Sequence, residues 1–410
     1  MSRMLSRRDF LAGGVVICSG VSAVTIYMLP GGRATPRVEL DLVTGEDPTG
    51  ARDLLVDTWN NANPNAPVNV REVSGSTIDQ RREMIDAINS NNADVINLDI
   101  IDIPYFGDQG LIEEIELDDS TFLEQALLPS RVDNKEGRYW AAPFNTDVGM
   151  LFERLPSHQA DGTDRGLAEV VDDEASNGSP QFVGQLNATD ASREVFVVNV
   201  LEHALAREGE VKILDESGVP QYELTEWEKA MEPLRAAIAA KRILPTVTEE
   251  DSRNEFSDRR LRYMRNWPVK YRELQQENDA DATASRILVR PLPVGVLGGQ
   301  SLALVSQSRH ESQARKLISF LTSNEAQKVL AAHGLAPTRV AAYNDENLRA
   351  FIPHLTSIRD AVAMARPRPI NRNYSEFSGV VFLHLRDFLM KDGKRLRSNF
   401  IDEMRDALGN

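Results

Sequence analysis

At 410 residues the chain exceeds one comfortable hydrophobic core, since single cores stop growing at roughly 250–300 residues, and two lobes are expected. A 41 % hydrophobic and 26 % charged composition is that of a soluble globular protein. The net charge of −16 and isoelectric point near 5.0 argue against nucleic acid as a partner and against an anionic membrane surface as a docking site.

The N-terminus carries the strongest short motif. Ser6-Arg7-Arg8-Asp9-Phe10-Leu11 precedes an uncharged stretch from Ala12 to Leu29, the pattern of a twin-arginine export signal, so the protein is expected to work outside the cytoplasm. Three fates of this segment compete. Cleavage after Ala34, in a small-x-small Gly32-Arg33-Ala34 site, would release a soluble protein to the periplasm or medium. Lipidation at Cys18, the candidate lipidation site despite the Ile17 before it, would tether the protein to the outer face of the cytoplasmic membrane. The 18 uncharged residues also fall within the roughly 17–25 that span a bilayer and would serve as an uncleaved anchor. In every case contact with a membrane is limited to this N-terminal tether. Cys18 is the single cysteine, which excludes disulfides and thiolate chemistry from the body.

From Arg37 the pattern is α/β. Val38, Leu40 and Leu42 alternate as in a strand, Thr44–Pro48 reads as a turn, and Ala51–Asn60 reads as a helix burying Leu54, Leu55 and Trp59. Asn63-Pro64-Asn65 breaks that helix and Val68–Val70 begins a second strand. Ser76-Thr77-Ile78-Asp79 predicts a capping box for a helix with Ile78, Ile85 and Ile88 on one side. Ala93–Asp99 is a near-continuous apolar strand ending in an acid. Strands alternating with helices imply a parallel sheet covered on both faces. Ligands of such sheets bind beyond the carboxyl ends of the strands. Glu46, after the first strand, and Asp99, closing the third, fall at such ends.

The stretch Gly137–Arg154, GRYWAAPFNTDVGMLFER, sets Asn145, Thr146 and Asp147 inside an apolar strand. Buried polar groups are costly unless something pairs with them, and a polar ligand is one such partner. Together with Glu46 and Asp99, these side chains suggest a cleft of acceptors for hydroxyl groups.

Downstream, Gly295, Gly298 and Gly299 permit close backbone approach where Val294–Val305 re-enters a sheet. Ser308–Glu311 predicts a capping box for a helix carrying Ala314, Leu317, Ile318 and Leu321. Thr322–Glu325 restarts that helix and Gly334 stops it. Ser157–Pro180, rich in Asp, Gly and Ser with weak periodicity, reads as a mobile insertion.

Taken in order, VTGEDPTG, TWNNANPNAPV, DVINLDI, FGDQGLIEEI, the Gly137–Arg154 stretch, MRNWP (Met264–Pro268), PLPVGVLGGQSLALVSQS (Pro291–Ser308), GLAPTR ending at Arg339 and ARPRPINRNYSEFS (Ala365–Ser378) resemble family 1 extracellular solute-binding proteins. These are the sugar-capturing components of bacterial ABC importers, and the resemblance is in particular to actinobacterial members that capture trehalose, maltose and similar saccharides. The resemblance implies a two-lobed, type II periplasmic-binding-protein fold with central mixed or parallel sheets and lobes hinged by crossing strands. The first lobe is expected over 36–152 plus 297–345 and the second over 153–296 plus 346–410, after the signal segment 1–35. It also implies a saccharide ligand, permease subunits of an importer as partners, a monomer, and no cofactor or catalysis.

Residue by residue, Asp99, Asn145 and Asp147 match positions that hydrogen-bond sugar hydroxyls, Trp267 would offer a ring face, and Arg366 or Arg368, held between prolines, would reach the cleft. The expected ligand-binding set is therefore Glu46, Asp99, Asn145, Asp147, Trp267, Gly299, Gln300, Arg366 and Arg368. The chain departs from the family pattern where Gln300 and Asp102 replace aromatic residues and where Arg193-Glu194-Val195 replaces Tyr-Glu-Gly. The Thr-Trp that usually opens the second lobe's first helix is also absent from Ser157–Pro180. Two stacking platforms are thus missing, and the alternative is a sensor or interaction subunit without transport. No phosphate loop, HExxH, G-x-S-x-G elbow or dinucleotide fingerprint is present, and the six histidines are scattered.

Overall fold

The computed structural model describes residues 37–409 apart from 74–76, 134, 157–164, 174–178, 188, 210–211, 259–260, 281–284 and 392–394. The twin-arginine segment and Cys18, and Ser76 of the expected capping box, lie outside the described residues.

Two sheets organise two lobes. The first contains β1 (Leu40–Gly45), β2 (Val68–Val73), β3 (Val95–Asp99), β4 (Ile112–Glu113), β7 (Ala142–Val148) and β13 (Leu297–Val305). Its order is β2-β1-β3-β13-β4, with β7 also paired to β13. The pairs β1–β2 and β1–β3 are parallel, as strand-helix-strand connections require, while β13 runs antiparallel to β3, β4 and β7. A two-stranded ribbon joins β5 (Ile115–Glu116) to β6 (Arg138–Tyr139). The second sheet has the order β10 (Ile243–Pro245), β9 (Phe182–Gly184), β11 (Tyr263–Asn266), β8 (Met150–Pro156), β12 (Ser285–Pro291). It is parallel from β10 through β11 and antiparallel beyond.

The first sheet is buried on both faces, and its strands therefore read as continuous apolar runs. Successive residues point to opposite faces. Val95, Leu302 and Leu304 enter a core with Leu42, Leu55, Trp59, Leu317 and Leu330. Their neighbours Ile96, Ala303 and Val305 enter the other core, which continues into the second lobe through Phe152, Val183, Leu201 and Trp227.

The helix at Ala51–Ala62 buries Ala51, Arg52, Leu55, Val56 and Trp59. Leu54, expected on that face, is 36 % exposed. The buried stripe follows the spacing of 51, 55 and 59, and Leu54 projects beside it. The helix at Glu311–Leu321 buries the four residues expected, but its capping box does not form. The Ser308 hydroxyl instead donates to Asp94 Oδ1 at 2.6 Å and accepts from the His310 N–H. The next helix, Asn324–Ala332, is capped by Ser323, whose Oγ accepts from the Ala326 N–H. Within the described part of Ser157–Pro180, Leu167–Asp172 is a helix that buries Leu167, Val170 and Val171 against the helix at Leu224–Ala239. That apolar triplet gives the segment a packed anchor, so it is more than an irregular insertion.

The chain passes between the sheets at three places. Val148 ends β7 in one sheet and Met150 begins β8 in the other, so the first crossing falls on Gly149. The second joins Pro291 to Leu297. The third runs beside it, the Arg366 N–H donating to the Gly295 carbonyl and the Arg366 carbonyl accepting from the Leu297 N–H. A Cβ on Gly149 would collide with the Glu202 carboxylate, and one on Gly295 would meet Val148. Glu202 accepts from Arg265 at 2.5 and 2.8 Å, both side chains 0 % exposed, and from the Val296 N–H. A buried ion pair whose carboxylate also accepts a backbone N–H thus sits beneath the crossings. The helix at Leu355–Met364 packs on both β7 and β12, while the helix at Leu224–Ala239 packs on β10 and on the helix at Arg193–Leu205, with Tyr374–Met390 laid against both and Phe400–Leu408 against that last helix. Among the described residues no helix is long and apolar enough to cross a membrane.

Candidate functional site

The strand ends of the two lobes face each other across a cleft of about 440 Å³. From the first lobe, the end of β1 supplies Glu46 and β3 supplies Asn97 and Asp99. The crossing strands supply Asn145 and Asp147 from β7 and Gly298, Gly299 and Gln300 from β13. The second lobe adds Glu194 near the start of its helix, Glu249, and Trp267 just past β11, and the third crossing adds Arg368. Eight of the nine residues expected from sequence line this one cavity. Arg366 does not. Its backbone is paired into the crossing, bonded to the Gly295 carbonyl and the Leu297 N–H, and its side chain is not among those that line the cavity.

Arg368 is 6 % exposed and bridges the lobes. Nη2 donates to Asp99 Oδ1 and Nη1 to Glu194 Oε2, each at 3.4 Å. Glu194 also accepts from the Tyr374 hydroxyl at 2.6 Å, and the Arg368 guanidinium lies 5.6 Å from the centre of the Tyr374 ring. Desolvation raises the Asp99 pKa, and Arg368 and the Ile101 N–H only partly oppose it. Asp102, where the family pattern has an aromatic, is buried just behind the cleft. Burial pushes its pKa up to about 8 against the pull of Arg81, 3.6 Å away.

Asp147 is placed differently. Its Oδ1 accepts only from the Val148 N–H at 3.1 Å. Burial lifts its pKa to about 8 and Glu249 and Glu202 add to the rise, outweighing the Val148 N–H and Arg265. The backbone geometry that brings it here depends on Gly299, whose φ is 130°. A Cβ there would lie 2.8 Å from Thr146 Cα and closer still to the Asn145 carbonyl oxygen. Gly298 likewise lets the Trp267 ring sit over β13: its Cβ would be 3.3 Å from both Asp147 Cβ and Trp267 Cη2. Trp267 Nε1 donates to Glu249 at 3.1 Å and the Arg265 guanidinium lies 4.0 Å from the ring centre. Among the described residues lining the cleft the aromatics are Phe144 and Trp267. No cluster of metal-ligating side chains occurs among the described residues.

A profile described as bacterial extracellular solute-binding protein matches residues 55–350. The chain belongs to that family. As a solute-binding protein it is similar to a probable ABC transporter-binding protein of Deinococcus radiodurans, with 27 % identity over 277 residues, 62 % of this chain and 65 % of the relative. It therefore spans just under two thirds of that curated relative's length. Among solved structures, the maltose-bound MalE3 of T. maritima is 25 % identical, with a TM-score of 0.76 over 90 % of this chain and 99 % of that one. The acarbose receptor GacH of Streptomyces glaucescens, at 15 % identity, shares the fold with a TM-score of 0.73 over 91 % and 98 % of the two chains.

Several cleft residues escaped sequence reasoning. Asn97 interrupts the apolar run of β3 and was readable as a polar intruder. Glu194 keeps the glutamate of the family's Tyr-Glu-Gly, and it was passed over because Arg193 and Val195 on either side depart from that pattern. Glu249 sits in the acidic first turn of the helix at Glu249–Asp258, and nothing local distinguishes it from a helix-dipole partner.

Proposed function

We propose that this protein is the extracytoplasmic capture component of an ABC importer, holding a di- or oligosaccharide between its lobes and presenting the closed form to membrane permease subunits. The observation that carries the reading is the polar cleft of about 440 Å³, lined from both lobes and from the crossings, in a family of solute-binding proteins. Small-molecule sites typically occupy clefts of roughly 300–1,000 Å³ with a few placed polar groups. The maltose-bound state of a 25 % identical structural relative supports the saccharide class. Asp99, Asn145, Asp147, Gln300 and Arg368 are the hydrogen-bonding set, Trp267 the ring face, and Glu46 the contact at the rim. A carboxylate accepts several short bonds from vicinal hydroxyls, which suits Asp147, with its single backbone N–H, better than Asp99, which is held by Arg368 and the Ile101 N–H. Solute touching both lobes favours the closed form by its differential affinity for it. The family and the twin-arginine pattern support an exported protein.

The scarcity of aromatics among the cleft residues favours, as a second reading, an interaction subunit that no longer transports. Calorimetry of the full chain with a panel of disaccharides, oligosaccharides and polyols separates the two. Saturable binding that is lost in Asp147→Ala is expected. Silence across the panel would retire capture and favour the second reading.

A further inference from the structure

The charged groups that line the cleft are predominantly acidic. Seven of the residues lining it are acidic and three are arginines. All three guanidiniums are held by protein acceptors through their terminal nitrogens, although the Nε of each has no hydrogen-bond partner. Arg52 binds Glu72, Thr44 and the Gly45 carbonyl, Arg193 binds Ser375 and flanks Asp190 and Glu194, and Arg368 is held by Asp99 and Glu194. The acceptors are not similarly consumed. Asp147 takes one backbone N–H and Glu249 takes the Trp267 indole N–H, and neither has a basic residue in ion-pair contact. Asn97, 3 % exposed, has an Oδ1 with no partner.

The guanidinium nearest this corner, Arg265, is neutralised by its two bonds to Glu202. Two carboxylates therefore converge on one aromatic ring with no countercharge. Neutral hydroxyls would leave Asp147 protonated, whereas an ammonium donates without accepting and supplies the positive charge that lets the carboxyl ionise. We propose that the captured solute carries a basic nitrogen, as an amino sugar or aminocyclitol unit, seated by Asp147 and Glu249 beside Trp267. The assignment rests on the saccharide-capture reading and narrows it. The chain's net charge of −16 attracts such a solute to the cleft mouth.

The groups facing Asp147 are Arg265, Glu249, Glu202 and Tyr343. None is a free cation, so in the unliganded protein burial keeps the Asp147 carboxyl protonated up to about pH 8. Seating an ammonium ionises it, and the proton leaves to solvent. A neutral saccharide provides no such drive.

The test is calorimetry of the full chain at pH 7 with matched pairs: maltose, trehalose and cellobiose, each against its amino-deoxy counterpart. Titrations run in two buffers of different ionisation enthalpy. At least one amino-deoxy saccharide is expected to bind tenfold or more tightly than its neutral partner, with proton release seen only for the amine. Glu249→Gln is expected to reduce that ratio at least threefold while circular dichroism stays unchanged. Neutral saccharides binding as well as or better than their amines would overturn the proposal and leave saccharide capture standing. Binding of neither member of any pair would overturn both.

Discussion

Asp147 is the residue whose chemistry the cleft controls most tightly. The folded protein holds its proton up to about pH 8, whereas the unfolded chain loses it near the ordinary value of 3.8. The stabilisation is complete in acid and is lost as pH rises through about 8. The melting temperature of unliganded protein is therefore expected to fall between pH 5 and 8.5, and Asp147→Asn to fall less steeply. Equal slopes in scanning calorimetry would show that this carboxyl does not titrate there. Glu202 poses the opposite case, a buried carboxylate held by a buried guanidinium. Removing one partner of a buried ion pair typically costs about 3–5 kcal/mol because the other charge is stranded. Arg265→Leu is expected to lose that much in urea unfolding, and Glu202→Gln somewhat less, since the amide still accepts from the Val296 N–H. At this scale the sequence was partly legible. Asn145 and Asp147 betray themselves as polar interruptions of an apolar strand. Glu202 and Arg265 do not, because each is an isolated charge with no opposite charge beside it in sequence, and only the fold brings the helix at Arg193–Leu205 and β11 together so that they meet.

At the level of elements, hydrophobic periodicity located β1, β3 and the helices after β13 because both faces of the first sheet are covered. It misplaced Leu54 and the Ser308 cap. In each case a competitor unseen locally decided the outcome: the direction of the buried stripe for Leu54, and Asp94, distant in sequence, for the Ser308 hydroxyl. The restart at Thr322–Glu325, by contrast, is found where expected, with Ser323 as its cap. Ser323→Ala is expected to cost about 1 kcal/mol of stability, measured by chemical denaturation. Gly299 is the position where element geometry and site geometry coincide. Gly299→Ala must either abandon the left-handed φ or push β7 away. A loss of about 1–3 kcal/mol is expected, and saccharide affinity should drop by more than that of a stability-matched control such as Ser323→Ala. Stability falling with affinity intact would separate the β7–β13 register from the cleft.

For the whole molecule, two lobes and a crossing near Val294 were legible from chain length and motif order, while the ion pair beneath the crossings and the Arg368 bridge were not. Three crossings lie side by side at Gly149, at Pro291–Leu297 and at Arg366, and beneath them Glu202 is bonded to both Arg265 and Val296. Arg368 reaches Asp99 on one side and Glu194 on the other, so ligand groups that compete for either carboxylate also act on the relation between the lobes. Closure over a solute is the central claim, and the cysteine-free body makes it directly measurable. Spin labels placed at Pro48→Cys and Asp190→Cys, across the cleft mouth in a Cys18→Ser background, report the inter-lobe distance by pulsed electron resonance. Saturating saccharide is predicted to shorten and narrow the distance distribution; an unchanged distribution under conditions where calorimetry shows full occupancy would contradict capture by closure.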